Sequence, residues 1–155
     1  SALDGLVVTT IRPWIHHALV EVLKNGMLAT VRQSQIDGCG EQPYSIEILV
    51  TKTDDSFLLI DVVDKGTGLS IPLEAAFNLG HSSVEKRWDR LDEQQSYAAV
   101  RSPLASLGVG LNSSRTMMEH FGGSLDLLCN KGKKGCTARL LLPLDDDILE
   151  TWPPS

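Results

Sequence analysis

Three short segments of this 155-residue chain carry residue types that could bind a charged ligand and move a proton. In the first, His17, Glu21 and Asn25 are spaced four residues apart, so they share one side of the segment if it is helical. The Asn25 amide oxygen is a hard, neutral ligand suited to Mg²⁺. Glu21 could accept a proton from a hydroxyl or water, and His17 could orient that carboxylate. The alternative is a solvated helix face on which Glu21 pairs with Lys24.

The other two segments are rich in glycine. Asp64-Lys-Gly66-Thr-Gly68 follows an apolar run that predicts a buried strand. A carboxylate there could accept a hydrogen bond from the amine of adenine, and the glycines would let the backbone approach a flat ring. Gly108-Val109-Gly110-Leu111 precedes a predicted helix, whose free N–H groups would suit phosphate. Alone, the two segments could be a β-turn and a loop before a helix cap. Together with the first segment, they predict a pocket for a metal nucleotide.

Composition limits the kinds of partner that the chain could bind. Its length is common for one domain, and a hydrophobic fraction of 42% is ample for one core. A net charge of −6 gives no basic field to attract nucleic acid, and no apolar run is long enough to cross a bilayer. The three cysteines lack CxxC spacing, which predicts free thiols in a reducing compartment.

A long helix must position the first segment. We predict a strand over Val7–Ile11, then a helix from about Trp14 to Val31 with Pro13 in its first turn. The polar stripe should lie opposite the apolar face of this helix. That face consists of Ile15, Leu19, Val22, Gly26 and Ala29.

Strands and shorter helices fill the rest of the chain. Alternation over 46–51 predicts a strand with one wetter face, and a turn at 53–56 leads to a central strand buried on both faces. Helices alternate with hairpins, which favours an α+β sandwich with a mixed β-sheet covered on one face by helices. The predicted elements after the turn are a central strand over Phe57–Val63, helices over Pro72–Asn78 and Leu111–Phe121, and strands over Ser124–Cys129 and Thr137–Leu142.

The remaining segments set the domain boundaries. Residues 79–106 are polar and poorly periodic, and such a long loop in a compact domain is usually functional. We expect one catalytic domain over residues 1–143 and an acidic tail over 144–155. Because the chain opens almost directly on a strand and a helix, with no visible targeting peptide, we interpret it as a domain of a longer protein.

In their order and intervals, the three segments resemble the Bergerat-fold (GHKL) ATPases. This superfamily includes gyrase-type, chaperone and mismatch-repair ATPases, histidine kinases and mitochondrial protein kinases, and the resemblance extends from about Val7 to Pro143. The individual residues within and beside these segments resemble one group more specifically, the pyruvate and branched-chain ketoacid dehydrogenase kinases. The stretches that carry this narrower resemblance are His17–Val31, Leu73–Asn78, Ser114-Arg115 and His120–Leu125.

The resemblance implies an ATP-dependent protein serine kinase that transfers the γ-phosphoryl group of Mg-ATP to an α-ketoacid dehydrogenase E1 subunit. It implies Glu21 as the general base, supported by His17, with Asn25 as the Mg²⁺ ligand. Asp64 would read the adenine amine, and residues 79–106 would form the ATP lid. The other implied nucleotide contacts are Gly66, Gly68, Leu69, Gly108, Val109, Gly110, Leu111 and Thr137.

The same resemblance implies partners and a location. We expect the mitochondrial matrix, a homodimer in the full-length protein, and contact with the E2 lipoyl domain through a region upstream of this chain. Nucleic acid and membrane spans are not expected. A histidine kinase catalytic domain, a gating ATPase and a catalytically decayed nucleotide-binding module remain open as alternatives.

Three departures from the family pattern bear on those alternatives. Leu28 stands where the family usually has Arg, and the lid segment around Gly80–Ser83 also differs. The usual Gly-x-Gly-Thr is replaced by Lys133-Lys-Gly-Cys-Thr137, so that Cys136 or Thr137 must supply the contact near adenine.

Overall fold

The computed structural model describes residues 8, 10–39, 43–53, 56–69, 71–78, 109–129 and 134–144. The predicted lid, the tail beyond residue 144 and Gly108 lie outside these residues. The described helices are α1 (Arg12–Ile36), α2 (Leu73–Ala76) and α3 (Gly110–His120). The described strands are β1 (Glu47–Lys52), β2 (Phe57–Asp64), β3 (Ser124–Leu128) and β4 (Cys136–Pro143).

Helix α1 is longer than its apolar periodicity predicts, because its stop signal lies further along the chain than Val31. Gly38 has a φ of +69°, and the N–H of Cys39 donates to the carbonyl of Ser34 at 2.9 Å. This is the Schellman arrangement, in which a left-handed glycine ends a helix. At the other end, Val8, Thr10 and Ile11 lie outside any strand, so these residues do not form the predicted first strand.

The four described strands form one sheet in the order β1-β2-β4-β3, and every neighbouring pair is antiparallel. The α+β class is confirmed, but the mixed character expected of the sheet finds no support in these strands. The central position of β2 is also confirmed, between β1 and β4. Its register with β4 pairs Asp61 with Arg139 and Asp64 with Cys136.

The core lies between the sheet and the helices. Only one face of β2 is buried, since Ile60 and Val62 are buried while Leu59, Asp61 and Val63 are half-buried. The expected burial of β2 on both faces is therefore wrong for the described residues. Strand β1 is exposed along its whole length because it forms the edge of the sheet. The core residues are Ala18, Val22, Ile60, Val62, Phe77, Met118, Leu125, Ala138, Leu140 and Leu142.

The prediction of free thiols is wrong for two of the three cysteines. Cys129 and Cys136 form a disulfide between the end of β3 and the start of β4, with their Cα atoms 4.5 Å apart. A missing CxxC motif carries no information about this pair, because the two residues meet across neighbouring strands. Cys39 is free. None of the described helices combines the length and the apolar character needed to span a bilayer.

Candidate nucleotide site

Glu21 lies in a packed position rather than on a solvated face of α1. Its residue is only 8% exposed, and its Oε1 accepts a hydrogen bond from Lys24 Nζ at 2.8 Å. The polar stripe therefore borders the buried face of α1 instead of lying opposite to it. Ala18, Glu21 and Val22 are all buried. The physical reason is that α3 packs beside α1 and covers this side.

The element that covers Glu21 is the start of α3. A Cβ added to Gly110 would lie 2.6 Å from Cδ of Glu21, well inside van der Waals contact. A Cβ at position 110 would displace the end of the Glu21 side chain, so the first and third sequence segments meet in the fold. The Glu21 carboxylate thus lies beside the N-terminus of an 11-residue helix.

That helix start is suited to an anion. Val109 is the N-cap of α3 and supplies no side-chain hydrogen bond to the first turn. Ser114 is fully buried, and its Oγ donates to the carbonyl of Gly110 at 2.7 Å. This hydrogen bond helps to hold the first turn of α3 in place. Asn112 donates to the carbonyl of Phe77 at 2.6 Å and so ties α3 to the end of α2. The half-buried Leu111 completes the described part of this segment.

The second segment lies against α1 as well. A Cβ added to Gly26 would lie 3.5 Å from Cβ of Asp64, in ordinary contact. Gly66 is closer to the helix, because a Cβ added there would lie 2.6 Å from the carbonyl carbon of Ala29. Gly26 and Ala29 follow Asn25 by one and four residues, so both glycine-rich segments pack against the helix that carries the first segment. The sequence alone indicates neither Gly26 nor Ala29 as a site residue, because both fit the apolar face of the predicted helix.

Asp64 is held by backbone donors at the end of β2. The N–H of Gly66 donates to its Oδ1 at 2.7 Å. Burial raises the pKa of the Asp64 carboxyl above its ordinary 3.8, while hydrogen bonds from the backbone N–H groups of Gly66 and Cys136 partly offset that rise. Such a half-buried carboxylate can accept a further hydrogen bond from a ligand amine.

Several polar groups on α1 have no hydrogen-bond partner in the described part of the chain, among them the Asn25 amide, the buried His17 Nε2 and the buried Thr30 Oγ1. Asn25 is half-buried, and no hydrogen bond joins its amide to another residue in the described part of the chain. The buried Nε2 of His17 has no hydrogen-bond partner among the described residues either. No cluster of three or more His, Cys, Asp or Glu side chains suited to a metal occurs in the described ranges. The Asn25 amide oxygen, unpaired among the described residues, fits Mg²⁺, which is often held by few protein oxygens together with substrate phosphates.

The register between β2 and β4 separates the two candidates for the contact near adenine. Cys136 pairs with Asp64, and Thr137 pairs with Val63. Because alternate residues of a strand point to opposite faces, Cys136 lies on the helix side of the sheet and Thr137 on the other. On the loop after β2, Gly68 has a φ of +74°, a conformation that glycine adopts without strain, and Leu69 is half-buried.

Comparison with known proteins agrees with this geometry. Residues 10–146 match the family described as Histidine kinase-, DNA gyrase B-, and HSP90-like ATPase. The mitochondrial pyruvate dehydrogenase (acetyl-transferring) kinase of Schizosaccharomyces pombe is 31% identical over 76% of this chain and 27% of its own length. Kinase 1 of Saccharomyces cerevisiae is 27% identical over 80% of this chain and 30% of its own length.

A human relative extends the match. The mitochondrial pyruvate dehydrogenase kinase isozyme 4 of Homo sapiens is 28% identical over 90% of this chain. The chain spans between 27% and 31% of the length of these three relatives. The family match covers most of the chain. Within it, the two glycine-rich segments pack against α1, the helix that carries the first segment. The chain belongs to the histidine kinase-, DNA gyrase B- and HSP90-like ATPase family.

Proposed function

We propose that this chain is the ATP-binding catalytic domain of a mitochondrial protein serine kinase. It would transfer the γ-phosphoryl group of Mg-ATP to a serine hydroxyl of an α-ketoacid dehydrogenase E1 subunit. The family of the chain and the names of its relatives support this proposal. The domain would occupy residues 1–143, with residues 79–106 as the ATP lid and residues 144–155 as a tail.

The observation that carries the proposal is the contact between Glu21 and Gly110. It places a buried carboxylate beside the helix start that would hold the phosphates. Phosphoryl transfer depends on positioning and charge neutralisation more than on covalent help from the protein. At this position Glu21 would accept the proton of the attacking serine hydroxyl, with His17 one turn away as its support.

Other residues would bind the nucleotide. Asp64 would accept a hydrogen bond from the adenine amine, and Gly66, Gly68 and Leu69 would lie along the ring. Backbone groups of residues 108–111 would hold the triphosphate at the N-terminus of α3. Asn25 would hold Mg²⁺, which neutralises phosphate charge when bound. For the remaining contact near adenine, the strand register favours position 136 over Thr137, and because the Cys136 sulfur is bonded to Cys129 this contact would come from the backbone rather than from a thiol.

The partners follow from the relatives and from the family resemblance. The relatives are named as mitochondrial proteins, which supports a location in the mitochondrial matrix. We propose a homodimer in the full-length protein and contact with the E2 lipoyl domain outside this chain, both on the family resemblance.

A labelling experiment tests the kinase proposal. The full-length protein is incubated with γ-labelled ATP, Mg²⁺ and purified E1 subunits of the pyruvate and branched-chain complexes. We expect acid-stable label on serine, and its loss in a Glu21→Gln variant. Glu119→Gln is the matched control, because Glu119 is an exposed carboxylate on α3 that pairs only with Arg115 in the described structure.

Each contrary result identifies a different alternative. Acid-labile label on histidine would indicate a histidine kinase. Release of free phosphate without labelled E1 would indicate a gating ATPase. Mg-ATP binding without any turnover in the full-length protein would indicate a decayed nucleotide-binding module.

A further inference from the structure

The disulfide lies directly beside the carboxylate proposed to read adenine. Cys136 is the register partner of Asp64, and its backbone N–H donates to the Asp64 carboxylate. The preceding residue holds the same loop, because the N–H of Gly135 donates to the carbonyl of Gly66 at 2.8 Å. Residues 135 and 136 therefore form one wall of the loop that carries Asp64 and Gly66.

Cys129 fixes that wall to the neighbouring strand. The register of β3 with β4 ends at Leu128 opposite Thr137, so the next pair along is Cys129 opposite Cys136. A Cα separation of 4.5 Å lies within the range that a disulfide bridges. Both residues are half-buried rather than fully enclosed. The proposed phosphoryl transfer uses neither sulfur atom.

We propose that Cys129 and Cys136 form a reversible redox site that controls the affinity of the Asp64 loop for adenine nucleotides. The disulfide form binds tightly and the dithiol form binds more weakly. This inference rests on the proposed nucleotide site. When the disulfide is reduced, the start of β4 loses its covalent link to β3, and more conformations become available to residues 135 and 136. The donors to Gly66 and Asp64 are then less well positioned, and the loop is less ordered for the ligand.

The redox step is an ordinary thiol–disulfide exchange with a small dithiol. A thiolate of the dithiol attacks one cysteine sulfur, the Cys129–Cys136 bond breaks, and a mixed disulfide forms. The second thiol of the reagent then displaces the remaining cysteine. The products are two cysteine thiols and the cyclic disulfide of the reagent, with two electrons and two protons transferred to the protein.

The test compares ADP affinity in two defined redox states of the full-length protein. Calorimetric titration with ADP and Mg²⁺ is performed before and after treatment with dithiothreitol. Alkylation and mass spectrometry count the free thiols in each state. We expect Kd to rise by roughly threefold to tenfold on reduction, less than the full loss of one hydrogen bond to a charged group. A Kd that is equal in the two states, with both states verified, would overturn the inference and leave the proposed nucleotide site intact.

Variants separate this pair from the third cysteine. The double variant Cys129→Ser, Cys136→Ser should bind ADP like the reduced protein and should not respond to dithiothreitol. Cys39→Ser should respond as the parent does, because Cys39 is outside the disulfide. A redox response that persists in the double variant would contradict the assignment, and so would an alkylation result showing that no disulfide forms. If neither state binds ADP, the proposed nucleotide site fails and this inference fails with it.

Discussion

Gly110 lies so close to Glu21 that a Cβ at position 110 would be 2.6 Å from the Glu21 Cδ atom. The carboxylate also pairs with Lys24 at 2.8 Å, so it is held from two sides. Gly110, a predicted phosphate-loop residue, therefore also leaves space for the proposed general base. The position of the base and the start of α3 depend on one another.

Substitution Gly110→Ala should displace Glu21 or shift α3. Because the added Cβ would meet only the end of the Glu21 side chain, which can move, we expect a loss of stability of about 1 kcal/mol, the low end for overpacking. Phosphoryl transfer should fall at least about tenfold more than Mg-ATP binding, because misplacement of a catalytic group affects the reaction step most. Urea unfolding and initial-rate kinetics measure the two effects. Thr116→Ala, at an exposed position of the same helix, is the control and should behave like the parent. A normal rate in the Gly110 variant would show that Glu21 does not need its observed position.

Substitution Asn25→Ala should remove the dependence of nucleotide binding on Mg²⁺. In the parent we expect ATP to bind more tightly with Mg²⁺ than with a chelator, because the amide oxygen links the protein to the metal. In the variant the two affinities should become similar. Gln35→Ala, at an exposed position in the last turn of α1, is the control and should keep the metal effect. A metal effect of unchanged size in the Asn25 variant would remove Asn25 from the metal site.

The pKa of Asp64 gives a pH prediction with a definite sign. Burial raises this pKa above 3.8 in the folded chain, and the N–H groups of Gly66 and Cys136 only partly offset it. Folding therefore disfavours the ionised form of Asp64. Its contribution to the free energy of unfolding increases as the pH falls from above the folded-state pKa toward 3.8. Nucleotide binding has the opposite dependence, since the adenine amine needs the carboxylate. ADP affinity should fall as the pH falls through the raised pKa.

Carboxyl-carbon NMR titration checks this prediction directly. The Asp64 signal should titrate above 3.8 in the free protein, and saturating ADP with Mg²⁺ should lower its midpoint. Asp126, which is about half exposed and lies on the other face of the sheet, should not change with ADP. An Asp64 midpoint that does not respond to ADP would contradict its proposed contact with adenine.

The ion pair between Asp61 and Arg139 should affect stability alone. Arg139 donates from Nε and Nη2 to the two Asp61 oxygens at 2.9 and 2.8 Å, on the sheet face away from the helices. Substitution Arg139→Met should lower the free energy of unfolding by about 1 kcal/mol, because this bidentate pair is partly exposed. The Kd for ADP should stay within about twofold of the parent value, since the pair lies behind the proposed site. A larger change in Kd would mean that the two faces of the sheet are coupled.

Local patterns in the sequence predict most of the described elements. Helical spacing predicts α1 and the alignment of His17, Glu21 and Asn25, while the apolar run from Phe57 predicts β2 as the central strand. Apolar spacing predicts an end for α1 near Val31, whereas the helix ends at the Asp37-Gly38 turn, whose backbone hydrogen bonds close its last turn. The family match over residues 10–146 agrees with the resemblance that these motifs carry.

Long-range packing and strand register are beyond the reach of such patterns. The burial of Glu21 depends on α3, which begins 89 residues later in the chain, at position 110. The disulfide and the side of the sheet on which Cys136 lies both depend on the register of β4, which no local spacing specifies. The contact of Gly66 with Ala29 is likewise set by the packing of a loop on a helix.

The most direct test of the account is the affinity of the full-length protein for ADP with Mg²⁺, measured by calorimetry on the parent and on Asp64→Asn. Asp126→Asn serves as the matched control. We expect saturable binding to the parent and to the control, and a loss of about 1.5–3 kcal/mol of binding free energy in the Asp64 variant, the range for a hydrogen bond to a charged group. Equal affinities in all three proteins, or no binding to the parent, would contradict the nucleotide site described here.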